Sequence, residues 1–318
     1  MFRNSRALVT GGVGFIGTNL IKKLLKTGAK IRATYYERKP KFFTDRVEYI
    51  KADLRMEKDC QKVVSGIDYV FMCSGYSSGA EEIETSPMSL VTPNIVMTAF
   101  MLKAAHEANV KKFLFVSSCI IYPPSNVPLK EERGHDDPLF DKYFLVGSMK
   151  RYCEKLCQGY AEKIKKPMPV VVVRPTSVYG PHDRFDWQKS HIIPAIIRKV
   201  VERHDPLEVW GDGTSIKDLL FVDDLVRGIL LAMENINTFM PVNIGSGKQT
   251  SILDIVTTIV RVDNYDNAKI IFNTSKPTTA PKVIIDVSRA KKMLGFEAKT
   301  NITEGIQKTV EWYKQNMI

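Results

Sequence analysis

The sequence predicts an α/β protein, with a doubly wound parallel sheet in the first part of the chain and a smaller mixed α/β lobe after it. Three observations carry this. Short β-rich runs alternate with helical patterns as far as Arg174, the pattern of successive βαβ units. Several runs are continuously apolar, PVVVVR at 169–174 above all, as strands buried on both faces of a parallel sheet must be. Beyond Arg174 the texture breaks into shorter elements separated by prolines, glycines and turns, as in RPTSVYGPHDRF and VWGDGTSIKD.

In order, residues 7–10 read as the first strand and 18–27 as its helix, where lysines alternate with an apolar stripe. Residues 30–36 and 47–52 read as the second and third strands, 60–65 as a short helix and 69–73 as the fourth strand. A long helix at 94–107 leads into the fifth strand at 112–117; residues 148–165 are helical and 169–174 form the sixth strand. In the later part, FVDDLVRGILLAME at 221–234 joins an early Asp pair to an apolar stripe, as a capped helix does, and 242–244 is a short strand. The chain ends in strand, loop and helices, the last at 302–315. The expected division is a first domain at 1–177, to which the chain returns around 219–245, and a second lobe at 178–318.

The 318 residues suffice for one large domain or two ordinary ones, and 44% hydrophobic with 25% charged residues describes a globular chain rather than a disordered or collagenous one. No stretch approaches the roughly 20 uninterrupted apolar residues of a membrane span, and MFRNSRALVTGG has no signal-peptide h-region. A cytoplasmic location is expected. The five cysteines (Cys60, Cys73, Cys119, Cys153, Cys157) are odd in number and scattered without a CxxC, which suits free thiols; no metal site is expected. Lys and Arg number 46 against 35 acidic residues, a net charge of +11 that calls for an anionic partner. No basic block is interleaved with aromatics, so the expected partner is a phosphate-bearing small molecule, not nucleic acid or membrane.

Residues 10–17 read TGGVGFIG, so Gly11, Gly14 and Gly17, with Phe15 and Ile16 between the last two, lie between the first strand and its helix. Glycines there permit a tight turn and close backbone approach, and the helix N-terminus offers unpaired N–H groups to a pyrophosphate. This is the Rossmann-type arrangement for NAD(P)(H). Asp53-Leu54 follows the third strand, where a carboxylate can take the adenine amino group. The second strand ends in Glu37-Arg38-Lys39: Glu37 suits the ribose hydroxyls of NAD, Arg38 and Lys39 the 2′-phosphate of NADP, and the cofactor form stays open.

The glycine pattern, Asp53-Leu54, Asn94, VKKFLFVSSCIIYP, RPTSVYGP and FVDD occur in the order of the extended short-chain dehydrogenase/reductase superfamily, the NAD-dependent epimerase/dehydratase group, which the chain resembles over nearly its whole length. Within it, GPHDRFDWQKSHIIPAIIRK, VWGDGT and SKPTTAPK resemble GDP-L-fucose synthases. The resemblance implies a nucleotide-diphosphate sugar, GDP-linked by preference, held between the lobes by Ser177, Arg198, Lys199, Trp210 and Lys217, the last standing where relatives often carry Arg. It also implies a homodimer built on the helices containing 103–107 and 150–162, for which Phe100, Met101, Ala104, Leu156 and Tyr160 are available.

The family pairs a tyrosine with a lysine four residues later, with a Ser or Thr hydroxyl beside them. Here Tyr143 is followed by Gly147, and Lys150 is preceded by Val146. Glu154 and Tyr160 match the family beyond its lysine, so the resemblance maps Lys150 to the catalytic lysine, Val146 to the tyrosine position and Ser118 to the hydroxyl. Seven residues of continuous helix put Tyr143 about 10 Å from Lys150, so only a helix starting after Tyr143 or a local bulge brings its hydroxyl to the reacting oxygen. Cys119 and His191 correspond to the epimerisation acid/base pair of fucose synthases, but SSCIIYP carries one isoleucine more than their pattern, a one-residue shift that turns a side chain to the other face. The expected function is an NAD(P)-dependent oxidoreductase acting at a sugar carbon, C4 foremost, of a GDP-hexose or GDP-heptose. The alternatives are a complete GDP-4-keto-6-deoxymannose 3,5-epimerase/4-reductase and a non-catalytic NAD(P)-binding relative.

Overall fold

A computed structural model describes residues 1–40, 44–187 and 190–318. Seven strands form one sheet: β1 (Arg6–Thr10), β2 (Lys30–Tyr35), β3 (Val47–Lys51), β4 (Tyr69–Met72), β5 (Lys112–Val116), β6 (Val170–Pro175) and, far along the chain, Met240–Ile244. Their spatial order is β3-β2-β1-β4-β5-β6 with Met240–Ile244 outside β6, and every pairing is parallel. β5 and β6 are buried along their whole length, which is why their sequences show no alternation. Strand order reverses between β1 and β4, so the crevice at their carboxyl ends is where a ligand fits such a sheet.

Helices Phe15–Leu24, Val222–Asn235 and Ser288–Leu294 cover one face through Leu20, Leu225 and Ala290. Helices Glu57–Val64, Met88–Glu107 and Phe144–Glu162 cover the other through Val63, Leu102 and Cys153. A third core, with Ile197, Val256 and Ile306 at its centre, unites helices Ile192–Val201, Ile252–Val262 and Ile302–Met317. Three two-stranded pairs complete this lobe: Ser177–Tyr179 with Leu219–Phe221, Leu207–Trp210 with Ile270–Asn273, and Ile216–Lys217 with Thr250–Ser251.

The differences from the sequence reading have identifiable causes. The helix expected at 94–107 starts at Met88 and carries Pro93 within it; a proline near a helix start deletes one backbone bond without ending the helix. This helix is long and apolar enough to cross a membrane by length and composition, yet half of it is buried inside the fold. The helix expected at 148–165 runs Phe144–Glu162, entered by a 3₁₀ turn at Asp141–Tyr143. Met101 and Ala104, expected on a dimer face, are 0% and 2% exposed within the subunit, because they face the sheet. Phe144, Leu145 and Tyr152 are the exposed apolar residues of the Phe144–Glu162 helix instead.

Candidate active site

The site begins at the end of β1. Gly11 has φ +62°, accepts the Gly14 N–H at 2.9 Å through its carbonyl, and donates its own N–H to Thr34 Oγ1 at 3.0 Å. A Cβ on Gly17 would collide with the Gly11 carbonyl oxygen, so helix and loop touch backbone to backbone. Thr10 Oγ1 accepts the Cys73 and Ser74 N–H groups at 3.1 and 3.0 Å, locking the turn after β4 against the loop. Gly14 caps the helix without a side chain, and the first turn has no acidic residue, which leaves its N–H groups and positive dipole end for an anion. This cradle fits a dinucleotide pyrophosphate. Gly17→Ala is expected to cost about 1–3 kcal/mol of overpacking and to weaken NAD(P)H binding about tenfold or more, read by nicotinamide fluorescence; unchanged affinity would remove the loop from the cofactor site.

Phe15 and Ile16 pack half-buried against the first core. Glu37 and Arg38 are exposed beyond β2, and the positive charge of Arg38 helps depress the pKa of Arg184, an effect led by burial of the Arg184 guanidinium. Arg184 belongs to the segment after the Ser177–Tyr179 strand, so the second lobe reaches over the cofactor cleft. The Asp53 carboxylate, expected to be open for adenine, is gripped at both oxygens by Arg55 at 2.8 and 2.7 Å, which holds it below the usual carboxylate range. Leu54 is buried in the second core.

At the carboxyl end of β5, Ser118 caps a 3₁₀ turn at Cys119–Ile121, its Oγ accepting the Ile120 N–H at 3.2 Å. Lys150 donates to the Val116 carbonyl at 3.3 Å and lies over the Phe115 ring at 5.0 Å, and burial lowers its pKa. Val146 is buried in the second core. A Cβ on Gly147 would stand 2.7 Å from a Leu139 methyl and 3.1 Å from the Ile120 carbonyl, so a side chain four residues after Tyr143 would have to displace Leu139 and crowd that carbonyl. Because the α-helix begins at Phe144, Tyr143 is free of its periodicity, and its ring packs edge-on against Phe140. Its hydroxyl accepts the Ala280 N–H at 3.1 Å beside Thr279, while burial pushes the phenol up to about 12.

Cys119 is electrostatically coupled to Tyr143, Lys217 and Asp218; burial and the Asp218 charge push its thiol up to about 11, with Lys217 opposing. Lys217 donates to Thr279 Oγ1 at 2.8 Å and to the Ala280 carbonyl at 2.6 Å, and burial lowers it to about 8. Asp218 turns away, its carboxylate accepting from Ser246 and Gly247. Tyr143 and Lys217, from two distant stretches of sequence, therefore meet at residues 279–280, with the Cys119 thiol within electrostatic reach of both.

The other expected substrate residues disperse. Ser177 donates its N–H to the Asp218 carbonyl. Trp210 carries Lys276 over its ring at 5.7 Å, and Lys199 is bound to the Glu208 carbonyl at 2.8 Å. Arg198 faces another way, paired with Glu202, bonded to the Phe185 carbonyl and lying 3.9 Å over the Trp187 ring. Neighbours on a helix point about 100° apart, so Arg198 and Lys199 do not share a ligand here. His191 caps the Ile192–Val201 helix at an exposed position, and surrounding protein with the Arg184 charge lowers its pKa; no bond joins it to Cys119 among the described residues. Two buried groups went unnoticed in the sequence. Asp183 Oδ2 and Ser78 Oγ have no hydrogen-bond partner among the described residues, and burial raises the Asp183 carboxyl to about 7. Thr279 was visible only as part of SKPTTAPK. No cluster of three or more His, Cys, Asp or Glu side chains suited to a metal occurs among the described residues.

The chain is 28% identical over 321 residues to the GDP-L-fucose synthase of Sinorhizobium fredii, covering 98% of this chain and 96% of that one. It is 27% identical over 321 residues to a Streptomyces dTDP-4-dehydro-6-deoxy-D-allose reductase, covering 96% and 95%. In structure it resembles the UDP-glucuronic acid 4-epimerase of Bacillus cereus, solved with UDP-glucuronic acid and NAD, with a TM-score of 0.84, 26% identity and 98% and 99% of the two chains covered. Residues 7–245 match the family described as NAD dependent epimerase/dehydratase. The chain belongs to the NAD-dependent epimerase/dehydratase family.

Proposed function

We propose that this chain is an NAD(P)-dependent oxidoreductase of nucleotide-diphosphate sugars that interconverts a carbonyl and an alcohol at the sugar C4, with a GDP-linked hexose or heptose as the favoured substrate. One observation carries the reading: the cradle of Gly11, Gly14 and Gly17 and the buried Tyr143 group lie at the same carboxyl end of one parallel sheet. When bound, the reduced nicotinamide supplies hydride to a carbonyl carbon. The chain must supply the proton, and Tyr143 is the buried hydroxyl placed for it, held protonated through the neutral range. Lys150, fixed to the Val116 carbonyl, is where a cation reaches the nicotinamide ribose, and Ser118 sits beside it at the strand end. Family relatives acting on GDP-, dTDP- and UDP-linked sugars support the substrate class, and Arg38 and Glu37 leave both cofactor forms accessible.

The experiment is to offer GDP-, dTDP- and UDP-linked 4-keto sugars with NADH or NADPH and follow the reduced-nicotinamide absorbance. The GDP-linked sugar is expected to give the highest kcat/KM, and Lys150→Ala to lower it about tenfold, as loss of orientation does. Tight NAD(P)H binding with no absorbance change for any sugar would establish the non-catalytic alternative. A 3,5-epimerase would carry solvent deuterium into C3 or C5. The raised Cys119 thiol, with no hydrogen bond to His191 among the described residues, argues against that result.

The same reading includes a cytoplasmic homodimer. All five cysteines are free, as a reducing compartment keeps them, and exposed Phe144, Leu145 and Tyr152 offer an apolar face on the Phe144–Glu162 helix. Light scattering at micromolar concentration is expected to give twice the subunit mass, and a monomer would refute the pairing.

A further inference from the structure

We infer that the missing tyrosine–lysine pair is rebuilt across the two lobes, with Lys217 feeding a proton through the Thr279 hydroxyl to Tyr143. The inference rests on the reductase reading and deepens it. Gly147 removes the lysine that Tyr143 would normally have one turn later, and a side chain there would have to displace a Leu139 methyl and crowd the Ile120 carbonyl. The position that keeps a lysine, Lys150, has Val146 in place of the phenol. The structure offers another cation. Lys217 Nζ lies 2.8 Å from Thr279 Oγ1 and 2.6 Å from the Ala280 carbonyl, and the N–H of that same Ala280 reaches the Tyr143 hydroxyl at 3.1 Å, which sets the Thr279 hydroxyl beside the phenol.

The donor pattern runs in one direction. The Tyr143 oxygen receives the Ala280 N–H, and the relay turns the Thr279 hydroxyl toward the same oxygen, so the proton of Tyr143 itself is left for a substrate oxygen. Thr279 accepts from the Lys217 ammonium, which has no acceptor capacity and therefore sets the orientation. In reduction, hydride adds to the carbonyl carbon and the Tyr143 proton adds to its oxygen. The phenolate then takes the Thr279 proton, Thr279 takes one from Lys217, and the neutral amine recovers a proton from solvent. The sum is one hydride and one proton added to C=O, with nicotinamide as the reductant. An ammonium whose pKa is lowered to about 8 is matched to this task near neutral pH, which a guanidinium is not. The groups facing Lys217 are Cys119 from the turn after β5, Tyr143 from the start of its helix, and Thr279 with Ala280; the neighbouring Asp218 carboxylate is occupied by Ser246 and Gly247.

The test combines kinetics with a readout that needs no turnover. Protein carrying ¹³Cζ-tyrosine, with the Tyr143 signal identified by its loss in Tyr143→Phe, is titrated by NMR without cofactor. The wild-type Tyr143 signal is expected to inflect as Lys217 deprotonates near pH 8. The inflection should vanish in Lys217→Arg, fade in Thr279→Val and return in Thr279→Ser. A wild-type signal flat through that range, or an inflection surviving Lys217→Met, would overturn the relay. In steady state, Thr279→Val should lower kcat about tenfold with KM for the sugar nucleotide unchanged, and Thr279→Ser should recover it. If Lys217 only binds the diphosphate, Lys217→Met raises KM at constant kcat and Thr279→Val is silent, which also overturns the relay. If no nucleotide sugar is turned over while the inflection behaves as expected, the reductase reading fails and the proton linkage stands.

Discussion

Tyr143→Phe is expected to lower turnover roughly 10²-fold or more, the usual worth of a positioned general acid, without weakening sugar-nucleotide binding. The phenol is buried, lies among Cys119, Thr279 and Ala280, and is held protonated with its pKa pushed up to about 12 by burial. It therefore acts as an acid and not as a resting base, and its effect should be larger in carbonyl reduction than its equilibrium contribution to folding. Removing the hydroxyl leaves the Ala280 N–H without its partner, a cost of about 1–3 kcal/mol that a thermal melt will register separately from kinetics. Stopped-flow measurement of hydride transfer at saturating sugar nucleotide is the appropriate assay. A rate equal to wild type would move the proton to Ser118, His191 or water, and would leave the Tyr143 bond as a structural tie between the turn at Asp141–Tyr143 and Ala280.

The parallel sheet was legible because strands such as β5 and β6, buried on both faces, have no polar side to disguise them. The glycine cradle was legible because backbone-to-backbone contact between Gly11 and Gly17 admits no other residue at the tight position. Helix starts were not. Pro93 reads as a breaker but costs only one backbone bond, and Tyr143 lies in a 3₁₀ turn whose boundary with the α-helix has no side-chain cap to announce it. The contacts that define the candidate proton path span 137 residues between Tyr143 and Ala280 and 62 between Lys217 and Thr279, and no local pattern encodes such pairings. Adjacent cations misled for a simpler reason. Arg198 and Lys199 share a charge and a neighbourhood in sequence, but the helix sends one to Glu202 and the other to Glu208.

Glu154→Gln is expected to destabilise the fold by about 3–5 kcal/mol, because it strands a buried cation. Arg174 and Glu154 are both fully buried and joined at 3.0 and 2.6 Å; Ser117 and His135 complete the carboxylate at 2.5 and 2.9 Å. Arg174 also donates to the Tyr122 hydroxyl and the Glu131 carbonyl, and Tyr122 donates to Asn243. The network thereby ties the ends of β5 and β6 to the Met240–Ile244 strand, directly beneath the turn bearing Ser118 and Cys119. Burial alone would raise the Glu154 carboxyl, but the bonds from His135, Arg174 and Ser117 outweigh it and hold the group at about 2. A folded pKa below the unfolded value of 4.5 means that the stabilisation is full above that pH and is lost as pH falls toward 2. Wild type should therefore lose stability across this window by chemical denaturation, whereas Glu154→Gln starts lower and varies less. NAD(P)H binding measured well below the melting temperature should survive in the variant, since no atom of this network belongs to the glycine cradle. Equal melting temperatures, or an unchanged acid limb, would show that Arg174 finds another counter-charge, and the sheet ends would then be held by packing alone.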